Sequence, residues 1–142
     1  MQGVKRRIVY IGFYEAIAIV ATSIGLQMVS DQGLAHSGAL AVATSVVAIV
    51  WNLVFNALFE RWEATLATRG RNLGRRLIHA IGFEGGLVVF LVPLIAWWMD
   101  MTLWAAFLTD LGLLLFFLVY TFVFNWAFDR VFGLPKAAMP AT

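Results

Sequence analysis

The chain has 142 residues, of which 62% are hydrophobic and only 13% are charged. Soluble globular domains carry about 25% charged residues, so this composition excludes an ordinary soluble protein. There is no cysteine, which excludes a disulfide framework and a thiolate metal site. The net charge is only +2, and the ten Lys and Arg residues lie in groups separated by apolar segments, unlike the basic surface of a nucleic-acid-binding protein. We therefore expect an integral membrane protein.

Four apolar stretches are long enough to cross a bilayer, which takes about 20 residues in a helix. They cover residues 8–28, 40–59, 77–98 and 103–128. The first is too long for a signal peptide and contains Glu15, so we expect it to be retained. The connections after the first and third stretches contain no Lys or Arg, whereas five arginines lie between residues 60 and 76. Because Lys and Arg mark cytoplasmic flanks, we predict that both termini and the middle connection are cytoplasmic.

The sequence repeats itself at a fixed offset. Residues 7–15 (RIVYIGFYE) recur 69 positions later as residues 76–84 (RLIHAIGFE). At the same offset, residues 51–61 (WNLVFNALFER) recur as residues 120–130 (YTFVFNWAFDR). Two separate matches at one offset indicate an internal duplication.

The predicted fold is an all-α membrane protein with four transmembrane helices in two parallel two-helix repeats. The predicted units are a first transmembrane pair over residues 5–66, a cytoplasmic basic linker over 67–73 and a second pair over 74–135. Both pairs enter the membrane in the same direction, so an axis along the membrane normal should relate them. Four short helices enclose little volume, which favours a symmetric homodimer.

A glutamate lies inside the first span of each repeat, at Glu15 and Glu84. A carboxylate is costly in hydrocarbon, so an embedded glutamate indicates a function. Desolvation disfavours the charged form of a carboxyl group and a nearby cation favours it, so such a site holds either a proton or an organic cation. We prefer Glu15 as the coupling residue. Glu84 lies between Gly82 and Gly86, a GxxxG spacing typical of packing seams, which favours a partner or supporting role.

The second helix of each repeat supplies candidate substrate-binding residues. We expect one layer of Glu15, Asn52 and Trp51 with Asn56 one turn nearer the cytoplasm, and a second layer of Glu84, Thr121 and Tyr120 with Asn125 below it. In these layers the amides would fix the carboxylate, and the aromatic rings would attract a cation through cation–π contacts. The alternative for the asparagines is that they only join helices through hydrogen bonds.

Three further polar residues give weaker indications of function. Asp110, near the outer end of the fourth span, is a candidate exit-side cation contact; its position favours the alternative, the first solvated residue of that helix. His79 lies one turn after Arg76 and is interpreted as a boundary residue, with a proton relay as the alternative. His36 lies in a loop and on its own indicates no metal site. We expect no metal and no cofactor.

With its four motifs, at residues 6–15, 51–61, 76–86 and 120–130, the chain resembles the proteobacterial antimicrobial compound efflux family, which is built from two bacterial transmembrane pair domains. The resemblance covers nearly the whole chain. It implies an inner-membrane exporter coupled to the proton gradient, with lipophilic biocide cations such as chlorhexidine as substrates and short-chain diamines as physiological cargo. It also maps the membrane-embedded glutamate of the family onto Glu15.

A proton-coupled cation antiporter acting as a homodimer is the leading hypothesis. A channel is disfavoured, because helices lined with Phe, Leu and Ile offer no continuous polar path. A non-transporting membrane scaffold is the alternative function; the GxxxG seam and the asparagines would suffice for it, but it gives the two glutamates no purpose. An enzyme is least expected, since the sequence has no nucleophile with a base, metal-ligand cluster or phosphate loop.

Overall fold

The structure, a computed structural model, describes residues 2–68 and 70–135 and consists of four long helices. They are α1 (Gly3–Val29), α2 (Leu34–Ala64), α3 (Leu73–Trp98) and α4 (Leu103–Phe132). The described residues contain no strand, and all four helices are long and apolar enough to cross a membrane. The predicted all-α fold with four spans is confirmed. Arg69, one of the arginines behind the predicted topology, lies outside the described residues.

Side-chain caps begin α3 and α4, whereas α1 and α2 begin without one. The side chain of Asn72 accepts a hydrogen bond from the backbone N–H of Arg75 at 2.9 Å, and Thr102 Oγ1 accepts one from Ala105 at 3.1 Å. These are N-caps, which bind amides that have no partner within the helix. At its other end α4 stops at Gly133, whose φ of 76° suits glycine.

The four helices form a ring in which α1 contacts α2 and α4, and α3 also contacts α2 and α4. Near the chain termini, Arg6 forms an ion pair with Asp129 at 2.6 Å. At the opposite end, His36 lies in the first turn of α2 and not in the loop predicted for it. Its Nε2 donates to the carbonyl of Trp98 at 2.7 Å, and Trp98 Nε1 donates to the carbonyl of His36 at 3.1 Å. Consecutive helices are therefore antiparallel. We call these ends of the bundle the termini end and the loop end.

The main cluster of buried apolar residues lies towards the loop end. Its members are Leu26, Leu40, Ala41, Leu91, Val92, Ile95, Met99 and Ala106. Large apolar side chains elsewhere on all four helices are exposed, as expected for helices that face lipid. The bundle is therefore packed most tightly towards the loop end, and this core does not extend along the whole length of the helices.

Candidate functional site

Residues of all four helices line a partly open cavity of about 460 Å³ beside the buried core, and the cavity and the core share Ala41 and Leu91. Three carboxyl groups line it, from Glu15 on α1, Glu84 on α3 and Asp110 on α4. The other polar lining residues are Tyr14, Thr22, Thr44, Ser45 and Asn52. The remaining lining is apolar. Such a cavity can hold a small organic cation, whose charge the carboxylates attract and whose apolar part the walls contact.

Glu15 has a hydroxyl partner on the neighbouring helix. It is half-buried, and Ser45 Oγ donates to its Oε2 over 2.7 Å. Hydrogen bonds to charged groups are worth about 1.5–3 kcal/mol, so Ser45 both orients the carboxylate and stabilises its charged form. The sequence analysis missed Ser45. Its place seven residues before Asn52, on the same face of α2, was the signal that could have revealed it.

Glu84 and Asp110 line the same cavity without such a donor. Within residues 2–68 and 70–135, neither carboxyl group takes part in a hydrogen bond or an ion pair. The position that corresponds to Ser45 in the second repeat is Leu114, which has no hydroxyl. In the same described ranges, the acids form no cluster that could hold a metal ion. The two carboxyl groups are therefore available to a proton or to a bound cation.

The position of Asp110 corrects its interpretation as the first solvated residue of the fourth span. The helix α4 begins at Leu103, and Asp110 is half-buried two turns later. The N-cap at Thr102 starts the helix early enough to carry this acid into the bundle. The equivalent position in the first repeat is Ala41, so the third carboxyl group belongs to the second repeat alone.

Trp51 and Tyr120 are not among the residues that line the cavity. Instead, each donates a hydrogen bond to a backbone carbonyl of the other repeat. Trp51 Nε1 lies 3.0 Å from the oxygen of Phe83, and Tyr120 Oη lies 2.9 Å from the oxygen of Tyr14. These carbonyls belong to the residues immediately before the two cavity glutamates.

The two predicted layers are therefore corrected. Glu15 and Asn52 do line one cavity, but Trp51 lies against the helix that carries Glu84. Thr121 is also absent from the lining, and its Oγ1 lies 2.8 Å from the hydroxyl of Tyr14. Helical spacing placed these residues on one face of their own helices, but it could not tell which neighbour that face meets.

The asparagines nearer the termini end join the two repeats. Tyr10 Oη donates to Asn125 Oδ1 over 2.6 Å, and His79 Nε2 donates to Asn56 Oδ1 over 2.7 Å. Tyr10 and His79 are equivalent positions in the duplication, as are Asn125 and Asn56. Neither asparagine is among the cavity-lining residues. The geometry thus favours the interpretation in which they hold helices together.

The GxxxG glycines of α3 make room for aromatic rings of α2. A Cβ atom at Gly82 would lie 3.0 Å from the ring of Phe55, and one at Gly86 would overlap the ring of Trp51. The seam therefore brings two rings of α2 against the backbone of α3 on either side of Glu84. Close approach of this kind is what small residues permit between membrane helices.

Comparison with known proteins gives matches along both repeats. A family model described as "Chlorhexidine efflux transporter" matches residues 2–65 and again residues 71–134, and these ranges are separated by the 69-residue offset of the sequence repeat. The model thus recognises the two halves of the chain as tandem copies of one unit.

Three relatives have one description, "Short-chain diamines transporter". The chain is 39% identical over 127 residues to the protein of Acinetobacter baylyi, with 89% of each chain covered. It is 41% identical over 133 residues to that of Acinetobacter baumannii, covering 89% of this chain and 88% of the relative. To the Vibrio parahaemolyticus protein it is 32% identical over 127 residues, covering 89% and 90%. No solved structure matches the chain.

Proposed function

The chain belongs to the chlorhexidine efflux transporter family, and on this premise we propose that it exports organic cations in exchange for protons. The family and the relatives are transporters and not enzymes, and the chain is a multi-pass protein of the bacterial inner membrane. Its proposed substrates are hydrophobic biocide cations such as chlorhexidine, after which the family is named, and short-chain diamines, after which its relatives are named. Family membership favours transport over the scaffold alternative.

The observation that carries the proposal is the cavity with Glu15, Glu84 and Asp110 between membrane-spanning helices. A carboxyl group in such surroundings binds a proton when the cavity is empty of cations, because its charged form is poorly solvated. An organic cation stabilises the charged form and so displaces the proton. Binding of one therefore releases the other, which is the linkage that antiport requires.

The lining suits substrates that are both cationic and apolar. Glu15 is oriented by Ser45, which favours it as the coupling residue, while Glu84 and Asp110 are free to meet further positive charge. A diamine has two charged ends and a biguanide biocide has several, so more than one carboxyl group can be used at once. We assign substrate contact to Asn52 as well, because it lines the same cavity.

The orientation and assembly are part of the proposal. We propose that the termini end faces the cytoplasm, because Arg6 and the arginines between α2 and α3 lie there. We also retain the homodimer as the proposed assembly. Within one chain, all four helices already contribute residues to the cavity.

The proposal is tested in proteoliposomes that carry an imposed pH gradient. We expect a diamine or chlorhexidine to collapse the gradient with the wild type and with Glu60→Gln, a matched change at an exposed acid outside the cavity. Glu15→Gln should abolish the response, because an amide cannot exchange a proton. A Glu15→Gln protein that dissipates the gradient like the wild type, or a wild type that does not respond, would contradict the proposal.

A further inference from the structure

Trp51 and Tyr120 make equivalent hydrogen bonds from equivalent positions of the two repeats. Each lies on the second helix of its own repeat and donates to a first helix of the other repeat. The acceptors, Phe83 and Tyr14, are also equivalent, and each immediately precedes a glutamate that lines the cavity. The duplication has thus kept a crossed arrangement in which one repeat holds the glutamate-bearing turn of the other.

The ring of each donor is held by packing. The indole of Trp51 occupies the space left by Gly86 and packs edge-on to Phe90, with ring centroids 5.3 Å apart. The phenol of Tyr120 lies with its ring centroid 4.9 Å from that of Tyr14 and stacks on Phe116 at 5.5 Å. Fixed rings give their donor groups a fixed direction.

A second donor on a helix carbonyl ties that turn to the neighbouring helix. The carbonyl of residue i normally accepts only the N–H of residue i+4 within its own helix. With Trp51 or Tyr120 attached as well, the turn cannot rotate or slide without breaking a side-chain hydrogen bond. The direction in which Glu84 or Glu15 leaves its backbone is then set by the other repeat.

We propose that Trp51 and Tyr120 are positioning residues that act across the repeats, Trp51 on Glu84 and Tyr120 on Glu15. Trp51 acts through its indole N–H group and Tyr120 through its hydroxyl group. Neither acts by offering a ring face to the substrate. The proposal rests on the proposed function only in making these glutamates the exchange groups. Each donor fixes the carboxyl group in the cavity, so its loss alters how that group binds a proton.

The test is an infrared titration of the substrate-free protein in lipid, which follows the C=O band of the protonated carboxyl groups. The bands are assigned with Glu15→Gln and Glu84→Gln. The informative variants are Trp51→Phe and Tyr120→Phe, which remove the donor and keep a ring. The control is Trp97→Phe, at a tryptophan that is 77% exposed.

We expect Trp51→Phe to move the midpoint of the Glu84 band, because the turn that carries Glu84 is no longer held by the other repeat, and to leave the Glu15 band in place. Tyr120→Phe should do the reverse. Trp51→Tyr should restore the Glu84 midpoint, because tyrosine is the donor that the other repeat uses here. Trp97→Phe should move neither band.

An uncrossed pattern, in which Trp51→Phe moves the Glu15 band or neither band, overturns the proposal. So does a Trp51→Tyr protein that behaves like Trp51→Phe. Tyr120→Phe removes a single oxygen atom and keeps the inference testable if the tryptophan variants do not fold. A crossed pattern in a protein that exchanges no protons for cations would support the positioning roles and refute the antiport, so the two proposals fail separately.

Discussion

The hydroxyl group of Tyr10 donates a hydrogen bond to Asn125 Oδ1 over 2.6 Å, from the first helix of one repeat to the second helix of the other. The duplicated pair, His79 and Asn56, makes the same connection at 2.7 Å. One turn closer to the middle of the bundle, the bonds from Trp51 and Tyr120 follow the same crossed pattern. The interface between the repeats is therefore held by side-chain hydrogen bonds at two levels.

We predict that the bond between Tyr10 and Asn125 contributes measurably to stability. Tyr10→Phe and Asn125→Ala should each lower the free energy of unfolding, and a double-mutant cycle should give a coupling of about 0.5–1.5 kcal/mol, as for hydrogen bonds between membrane helices. The measurement is denaturant unfolding in mixed micelles. Trp126→Phe, at an exposed side chain next to Asn125, combined with Tyr10→Phe should give no coupling. Additive effects of Tyr10→Phe and Asn125→Ala would show that the bond is not formed.

The architecture could be predicted from the sequence because two strong constraints act on it. The bilayer fixes the length of an apolar helix, and the 69-residue offset shared by two motifs reveals the duplication. Residues 8–28 and 77–98 were accordingly identified as spans inside α1 and α3. The helix α3 begins earlier, at Leu73, because Asn72 caps it outside the apolar stretch.

The site could be predicted only in part. Glu15 and Glu84 were found because an acid in an apolar span is conspicuous. The periodicity of α2 placed Trp51 and Asn52 near each other, but Trp51 meets α3 whereas Asn52 lines the cavity. Which helix faces which depends on packing, and here Gly86 decides it by leaving room for the indole. A pattern along one helix carries no information about that pairing.

Gly86 and its neighbour Gly85 provide a matched test of the seam. A methyl group at Gly86 would overlap the ring of Trp51, whereas one at Gly85 would meet nothing within 4 Å. We expect Gly86→Ala to destabilise the protein by about 1–3 kcal/mol, as overpacking does. Gly85→Ala should be neutral or slightly stabilising, since alanine is the better helix former. Thermal unfolding in detergent would compare them, and equal effects of the two changes would refute the packing of Trp51 on Gly86.

Ser45 should decide how well a cation competes with a proton at Glu15. Its hydroxyl stabilises the charged carboxylate at 2.7 Å, so in Ser45→Ala the proton is the stronger competitor. At low pH we expect the apparent affinity for a diamine to fall by about tenfold or more, from the loss of about 1.5–3 kcal/mol. The difference should disappear at high pH, where protons no longer compete with the cation. Isothermal titration calorimetry across pH measures this.

The control for Ser45 is Ser23→Ala, because Ser23 donates to the carbonyl of Ile19 in its own helix. It should bind the diamine like the wild type at every pH. A defect of Ser45→Ala that persists unchanged at high pH would show that Ser45 contributes to the shape of the site and not to the competition.

Asp110 should distinguish substrates by their charge. It is the third carboxyl group of the cavity and has no equivalent in the first repeat. A diamine can place one charged end at Glu15 or Glu84 and the other at Asp110, whereas a monoamine of the same length can use only one of these. Asp110→Asn should therefore weaken binding of the diamine by about tenfold or more, as expected for the loss of a hydrogen bond to a charged group, and change binding of the monoamine much less.

The control is Asp100→Asn, at an exposed turn residue with φ 52°, a conformation that asparagine tolerates. Equal losses for both amines would assign Asp110 to the general electrostatic field of the cavity, and no loss for either would remove it from the site.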